Sequence, residues 1–237
     1  DAVPKNEILK NMHHESYVIR YRAASALRRS GAFGDLEKLL DDPDPRVRRA
    51  AIDGMVNCFW AWIGFAGADS IAPKDVSPKM VASLKRMLSD TNEAVYVVDG
   101  AMILMSLAPA AAVNDCVPLI MPWLKHDDWW LRQSAFMALM ALRDDPTNFA
   151  KVLPALIETM TREYHTMARE SFVNALSPLL NAKASPVAKD LLAGMLNAIE
   201  TTEIKPDRGE VKISAEGSYN AMVTAQEVLK KSPESAL

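Results

Sequence analysis

Cysteine is scarce in this chain, with only Cys58 and Cys116 among 237 residues. Neither stands at a metal or redox spacing, and both lie among apolar residues, so they read as buried free thiols. Glycine is sparse too, at nine, and alternating strand-like runs are few, which favours an all-α protein. No apolar run reaches the about 20 residues of a membrane-spanning helix; Val95–Ala108 is shorter and contains Asp99. No secretory signal stands at the N-terminus of this chain. Neither sign of charge accumulates: 27 basic against 30 acidic residues leave a net −3. That excludes a global basic field for nucleic acid or anionic lipid. The chemical signatures are missing as well. There is no nucleophile elbow, phosphate loop, dinucleotide fingerprint or spaced Cys/His set, and the histidines are scattered at 13, 14, 126 and 165. No catalytic residue, metal or cofactor is expected.

What is present is a repeated unit. In Leu39–Met55, leucines close one helix and Asp42-Pro43-Asp44-Pro45 stops it. Proline disfavours the α conformation in the residue before it and lacks a donor. Asp44 suits the N-cap and Pro45 the first helical position. The next helix carries Val47, Ala51, Met55, Cys58 and Trp62 on one stripe, with small Ala50, Ala51 and Gly54 allowing close approach. One such hairpin cannot bury its own apolar face and needs copies beside it. Sliding the unit along the chain places its anchor at Ile19, Val47, Val95, Leu131 and Met167, with intervals of 28, 48, 36 and 36.

Asp42, Val47, Arg48, Ala51 and Met55 match a D-x-x-x-x-V-R-x-x-A-x-x-x-L core that resembles HEAT repeats of the short bacterial type. The resemblance covers about residues 5–182. It implies a single-domain α-α superhelix of about six helical hairpins, at roughly 4–31, 35–65, 78–108, 114–144, 148–182 and 185–231, as part of a larger protein. It also implies an Asp–Arg ladder between neighbours, which Arg20, Arg48 and Arg132 fit and Tyr96 and Ala168 interrupt. Residues 66–78 read as a long loop, 203–213 as a small β-hairpin or irregular insertion, and 215–231 as a terminal helix with one polar face.

Architecture of this kind is nearly silent on activity. The expected role is a non-catalytic scaffold whose concave surface binds a protein or another domain of the parent chain. Its candidate contacts are Trp129 and Trp130 with Met102, Met105, Met137 and Met140, since aromatic and methionine side chains make adaptable binding surfaces. Arg20, Arg46 and Arg49 are candidate anion contacts, set against the reading that local carboxylates pair with them. The alternative is a HEAT-like DNA glycosylase, faintly echoed by Asp128 beside the two tryptophans and opposed by the overall charge. A second HEAT-like enzyme, deoxyhypusine hydroxylase, uses several His-Glu pairs to hold iron; here only His14-Glu15 is such a pair.

Overall fold

A computed structural model describes residues 4–30, 32–62 and 76–181, with Val223 and Glu227. Every regular element among them is helical. The chain divides into two compact units, Asp1–Leu119 and Ile120–Leu237. The expected loop at 66–78 falls mostly outside the described residues. The insertion at 203–213, the sixth hairpin and its terminal helix, and the side chains of Cys58, Trp60 and Trp62 fall outside them as well.

The first unit contains α1 (Lys5–Asn11), α2 (Tyr17–Ser30), α3 (Phe33–Lys38), α4 (Pro45–Trp62), α5 (Pro78–Ser89), α6 (Val95–Met105) and α7 (Ala110–Asn114). The short α8 (Val117–Ile120) runs into the second unit. That unit continues with a 3-10 turn at Met121–Lys125, then α9 (Trp129–Met140), α10 (Pro146–Arg162) and α11 (Thr166–Asn181). Proline starts three of these helices at a position where its missing N–H costs nothing. Ser77 caps α5 by accepting from the Met80 amide at 3.0 Å, and Asp145 caps α10 by accepting from Asn148 at 3.2 Å. The first helix of the hairpin expected at 114–144 is broken here into α8 and the 3-10 turn. Pro118 and Pro122 each remove a donor four residues apart, so no continuous α ladder can form.

Within the first unit the second helices of the hairpins pack in a row, α2 on α4 and α4 on α6; in the second unit α9 packs on α11. Burial sets the register of this row. Val47, Val97, Leu131 and Ala168 are fully buried, as are Ala51, Ala101, Ala135 and Phe172 four residues on, and Met55, Met105, Leu139 and Leu176 four beyond those. The anchors of repeats three and five are therefore Val97 and Ala168. The expected Val95 and Met167 are 43% and 63% exposed. This corrects the ladder: its arginine position holds Arg20, Arg48, Val98, Arg132 and Arg169, so the third repeat alone among these five lacks the residue.

Candidate functional site

The ladder holds the N-terminal ends of the second helices rigid. The Arg20 Nε and Nη2 donate to the two carboxylate oxygens of Asp42 at 2.7 and 2.9 Å, while Nη1 donates to the His14 and Glu15 carbonyls. Arg48 repeats the pattern in part: Nη1 donates to the carbonyls of Asp42 and Pro43 and Nη2 to one oxygen of Glu93, while the Arg48 Nε and the other Glu93 oxygen have no partner among the described residues. Arg132 repeats it with Glu163 and the carbonyls of His126 and Asp127. Each arginine thus ties its own inter-helix turn to the carboxylate of the following hairpin. Those carboxylates also accept backbone N–H groups, from Asp44, Ala94 and His165 respectively. Where the fourth repeat lacks a carboxylate, His126 does the turn's work. Its Nδ1 accepts from the Asp128 amide at 3.0 Å, as the His14 Nδ1 does from Ser16. Asp128 sits at the N-cap of α9 without a side-chain cap hydrogen bond.

On this frame the first unit presents a continuous surface at the leading ends of α2, α4 and α6. Tyr21 is 45% exposed and Tyr96 40%, and Val18 and Val95 are exposed beside them. The Arg46 guanidinium lies 3.6 Å from the centre of the Tyr17 ring and donates to its hydroxyl at 2.9 Å. It also donates to Asp44 at 2.8 Å. That hydrogen bond holds the Asp44 carboxyl below its ordinary range and raises Arg46 above its own. Arg49 bridges α4 and α6 by donating to Asp53 (2.7 Å), to Asp99 (2.8 Å) and to the Tyr96 carbonyl. Burial of Arg49 opposes its charge, and Asp99 and Asp53 together more than restore it, so its affinity for the proton is raised. Alongside, a cleft of about 210 Å³ opens between α4 and α6. Ile52, Val56, Gly100 and Ile103 line it, with Arg28, Asp53 and Asn57 at its polar edge.

The candidate residues named from sequence separate in the structure. Met102, Met105 and Met140 are not at a surface: they are buried in the packing of their units. The physical reason is register, since α6 and α9 turn these positions toward neighbouring helices. Met137, Trp129 and Trp130 are half-buried. The Trp129 ring stacks on His165, with ring centroids 3.8 Å apart and an interplanar angle of 1°. Arg20 has four of its five N–H groups engaged as above, whereas the Arg46 side chain remains 53% exposed. Among the described residues no cluster of His, Cys, Asp or Glu could hold a metal ion, and no helix is long and apolar enough to cross a membrane.

Sequence reasoning missed Tyr17, Val18, Tyr21, Val95 and Tyr96. The signal was available once the register is right. The two residues ahead of each anchor by two and one are Tyr17-Val18, Pro45-Arg46, Val95-Tyr96, Trp129-Trp130 and Thr166-Met167. Trp129-Trp130 is the most conspicuous instance of a pattern that runs through the chain.

The sequence matches the HEAT repeats family over residues 81–177. No curated protein matches it. Among solved structures, a designed armadillo repeat protein in complex with the peptide (KR)4 is similar, at 13% identity and a TM-score of 0.63 over 97% of this chain and 99% of that one. Another designed armadillo repeat protein is 11% identical with a TM-score of 0.59, covering 95% and 100%. A Kap121p mutant is 15% identical with a TM-score of 0.58 over 95% of this chain and 26% of that one. At these identities the likeness is one of fold: all-α, of the repeat-solenoid class.

Proposed function

The chain carries HEAT repeats, and on that premise we propose that it is a non-catalytic scaffold. It binds a segment of a protein partner, or of another domain of its parent chain, across the leading ends of the second helices. The observation that carries this reading is the exposed run of Val18, Tyr21, Val95 and Tyr96, with half-buried Tyr17 beside it. Large aromatic side chains on rigid backbone are expensive to leave in water, and together with arginine they dominate the energetics of protein interfaces. The ladder arginines and Arg49 immobilise the helix ends beneath them, so little order has to be imposed on binding. Arg46 and Arg49 supply the polar contacts of this surface. In the second unit Trp129, Trp130 and Met137 offer a separate half-buried set. The designed relative that holds a peptide supports the reading at the level of architecture.

The test is selection from a displayed random-peptide library with the full chain as bait. Enriched peptides should lose at least about tenfold in affinity when Tyr21→Asp and Tyr96→Asp are combined, with the far-UV circular dichroism and melting temperature unchanged. No enrichment, or enriched peptides indifferent to both substitutions, would overturn the assignment.

A further inference from the structure

The cleft between α4 and α6 joins an apolar floor to an edge that carries both signs of charge. Ile52, Val56 and Ile103 make the floor. Two glycines set its walls. A Cβ at Gly100 would stand 3.0 Å from Ile52 Cγ2 and 3.2 Å from Arg49 Cδ, and a Cβ at Gly54 would stand 3.3 Å from the Arg28 Cβ. The glycine at 54 thus roots Arg28 against α4, next to Asp53. At about 210 Å³ the cleft falls below the roughly 300–1,000 Å³ of pockets that enclose a drug-sized ligand, and it suits one aliphatic side chain.

The polar edge has unused bonding capacity. Arg28 is exposed and makes no hydrogen bond or ion pair among the described residues. Asp53 accepts from the Arg49 Nε through Oδ1, and its side chain is 42% exposed, which leaves Oδ2 open. The half-buried Asn57 amide, with donors and an acceptor, also has no partner among the described residues. Arg28 and Asp53 line one cleft without pairing with each other. With Arg49 and Asp99 counted, the charges around it balance.

We infer that this cleft binds a free aliphatic α-amino acid of about the size of leucine. The side chain fills the floor, the carboxylate pairs with Arg28, and the ammonium group donates to the open oxygen of Asp53. A ligand of one sign would satisfy one of these two groups and be repelled by the other, whereas a zwitterion satisfies both. A residue within a peptide carries neither charge at its α-carbon, so it would use the floor and leave the edge idle. The inference does not rest on the scaffold reading.

NMR titration of the isotope-labelled full chain tests it. The probes are leucine, leucinamide (no carboxylate), isocaproate (no ammonium), glycine (no side chain) and N-acetylleucinamide, which mimics a residue within a peptide. Leucine should give saturable shifts centred on the backbone amides of Asp53, Asn57, Gly100 and Ile103, with a Kd in the millimolar range or tighter, as suits so small a ligand. Leucinamide and isocaproate should each bind at least about tenfold more weakly, the size of one charge-assisted contact. Glycine and N-acetylleucinamide should bind more weakly still. Arg28→Gln should bring leucine down to the affinity of leucinamide, and Asp53→Asn down to that of isocaproate, both with the melting temperature retained.

Absence of saturable shifts at tens of millimolar leucine would overturn the inference. So would equal binding of leucinamide or isocaproate, or indifference to either substitution. Tighter binding of N-acetylleucinamide than of leucine would overturn it too, and would make the cleft a pocket for a peptide side chain.

Discussion

Arg132 and Glu163 form a bidentate ion pair inside the second unit, with Nε–Oε2 at 2.9 Å and Nη2–Oε1 at 2.8 Å. The Glu163 side chain is fully buried and that of Arg132 is 10% exposed. The remaining Arg132 donors reach the carbonyls of the turn that leads into α9. The same arrangement holds Arg20 to Asp42, whereas Arg48 reaches Glu93 through Nη2 alone.

Breaking such a pair on one side leaves a buried charge without its partner. Glu163→Ala is expected to destabilise the protein by about 3–5 kcal/mol. The double replacement Arg132→Met with Glu163→Leu should cost less than the sum of the single ones, because it removes both desolvated charges. Denaturant titration of the single and double variants measures the difference.

Burial separates Met102 from Tyr96, six residues apart on one helix. Met102→Ala should cost about 2–5 kcal/mol, the range for emptying a packed core position. Tyr96→Ala should stay within about 1 kcal/mol, since its side chain is exposed and leaves no cavity when truncated. Melting curves of the two variants check this. A reversed order would move the register of α6 back by the two residues through which the structure corrects it.

Ser77 has two partners. It accepts from the Met80 amide as the cap of α5, and its hydroxyl donates to Glu37. Ser77→Ala should lose about 1 kcal/mol, as lost caps do. Ser77→Asp keeps the cap yet sets a carboxylate against Glu37, so it should recover only part of the loss. At Ser77→Asp with Glu37→Gln, where the repulsion is relieved, chemical denaturation should show fuller recovery.

Acid pH should act through Asp44, whose folded-state pKa is depressed by its hydrogen bonds from Arg46. A carboxylate with a depressed folded pKa adds stability that is complete above its unfolded value of about 3.9. The contribution disappears as pH falls through the lower folded value. Asp44→Asn should therefore be less stable than the parent at neutral pH. The two should converge as pH falls through the depressed folded-state value, as unfolding free energies measured along a pH series will reveal.

Much of the fold is legible in the chain because its helices are stopped by local chemistry. Pro43 and Pro45, Ser77-Pro78 and Asp145-Pro146 mark ends that need no tertiary context. The anchors Val47 and Leu131 are legible because a polar residue follows each, so periodicity has a phase. In Val95–Met105 nearly every residue is apolar, and a helix that is apolar all round carries no phase to read. Read alone, that segment therefore offers Val95 as readily as Val97 for the anchor and leaves the sides taken by Met102 and Met105 open. Met167 misled in the same way, an apolar residue one position ahead of the buried Ala168. The acidic ladder partners Glu93 and Glu163 were missed for a related reason. Glu163 lies five residues before Ala168, as Asp42 lies five before Val47, so a count from Met167 lands one residue short of it; Glu93 lies four before Val97 and off that count.

The sequence by itself determined the helical repeat, its arginines and the absence of a recognisable catalytic or metal motif, because each rests on residue type and spacing along a single segment. Tertiary packing alone decided which apolar side chains are core and which are surface. It also decided which carboxylate each ladder arginine finds, and that Arg28 overlooks a cleft opened by Gly100. Those outcomes depend on how one hairpin lies against the next, and a pattern confined to one helix does not contain that distance or angle.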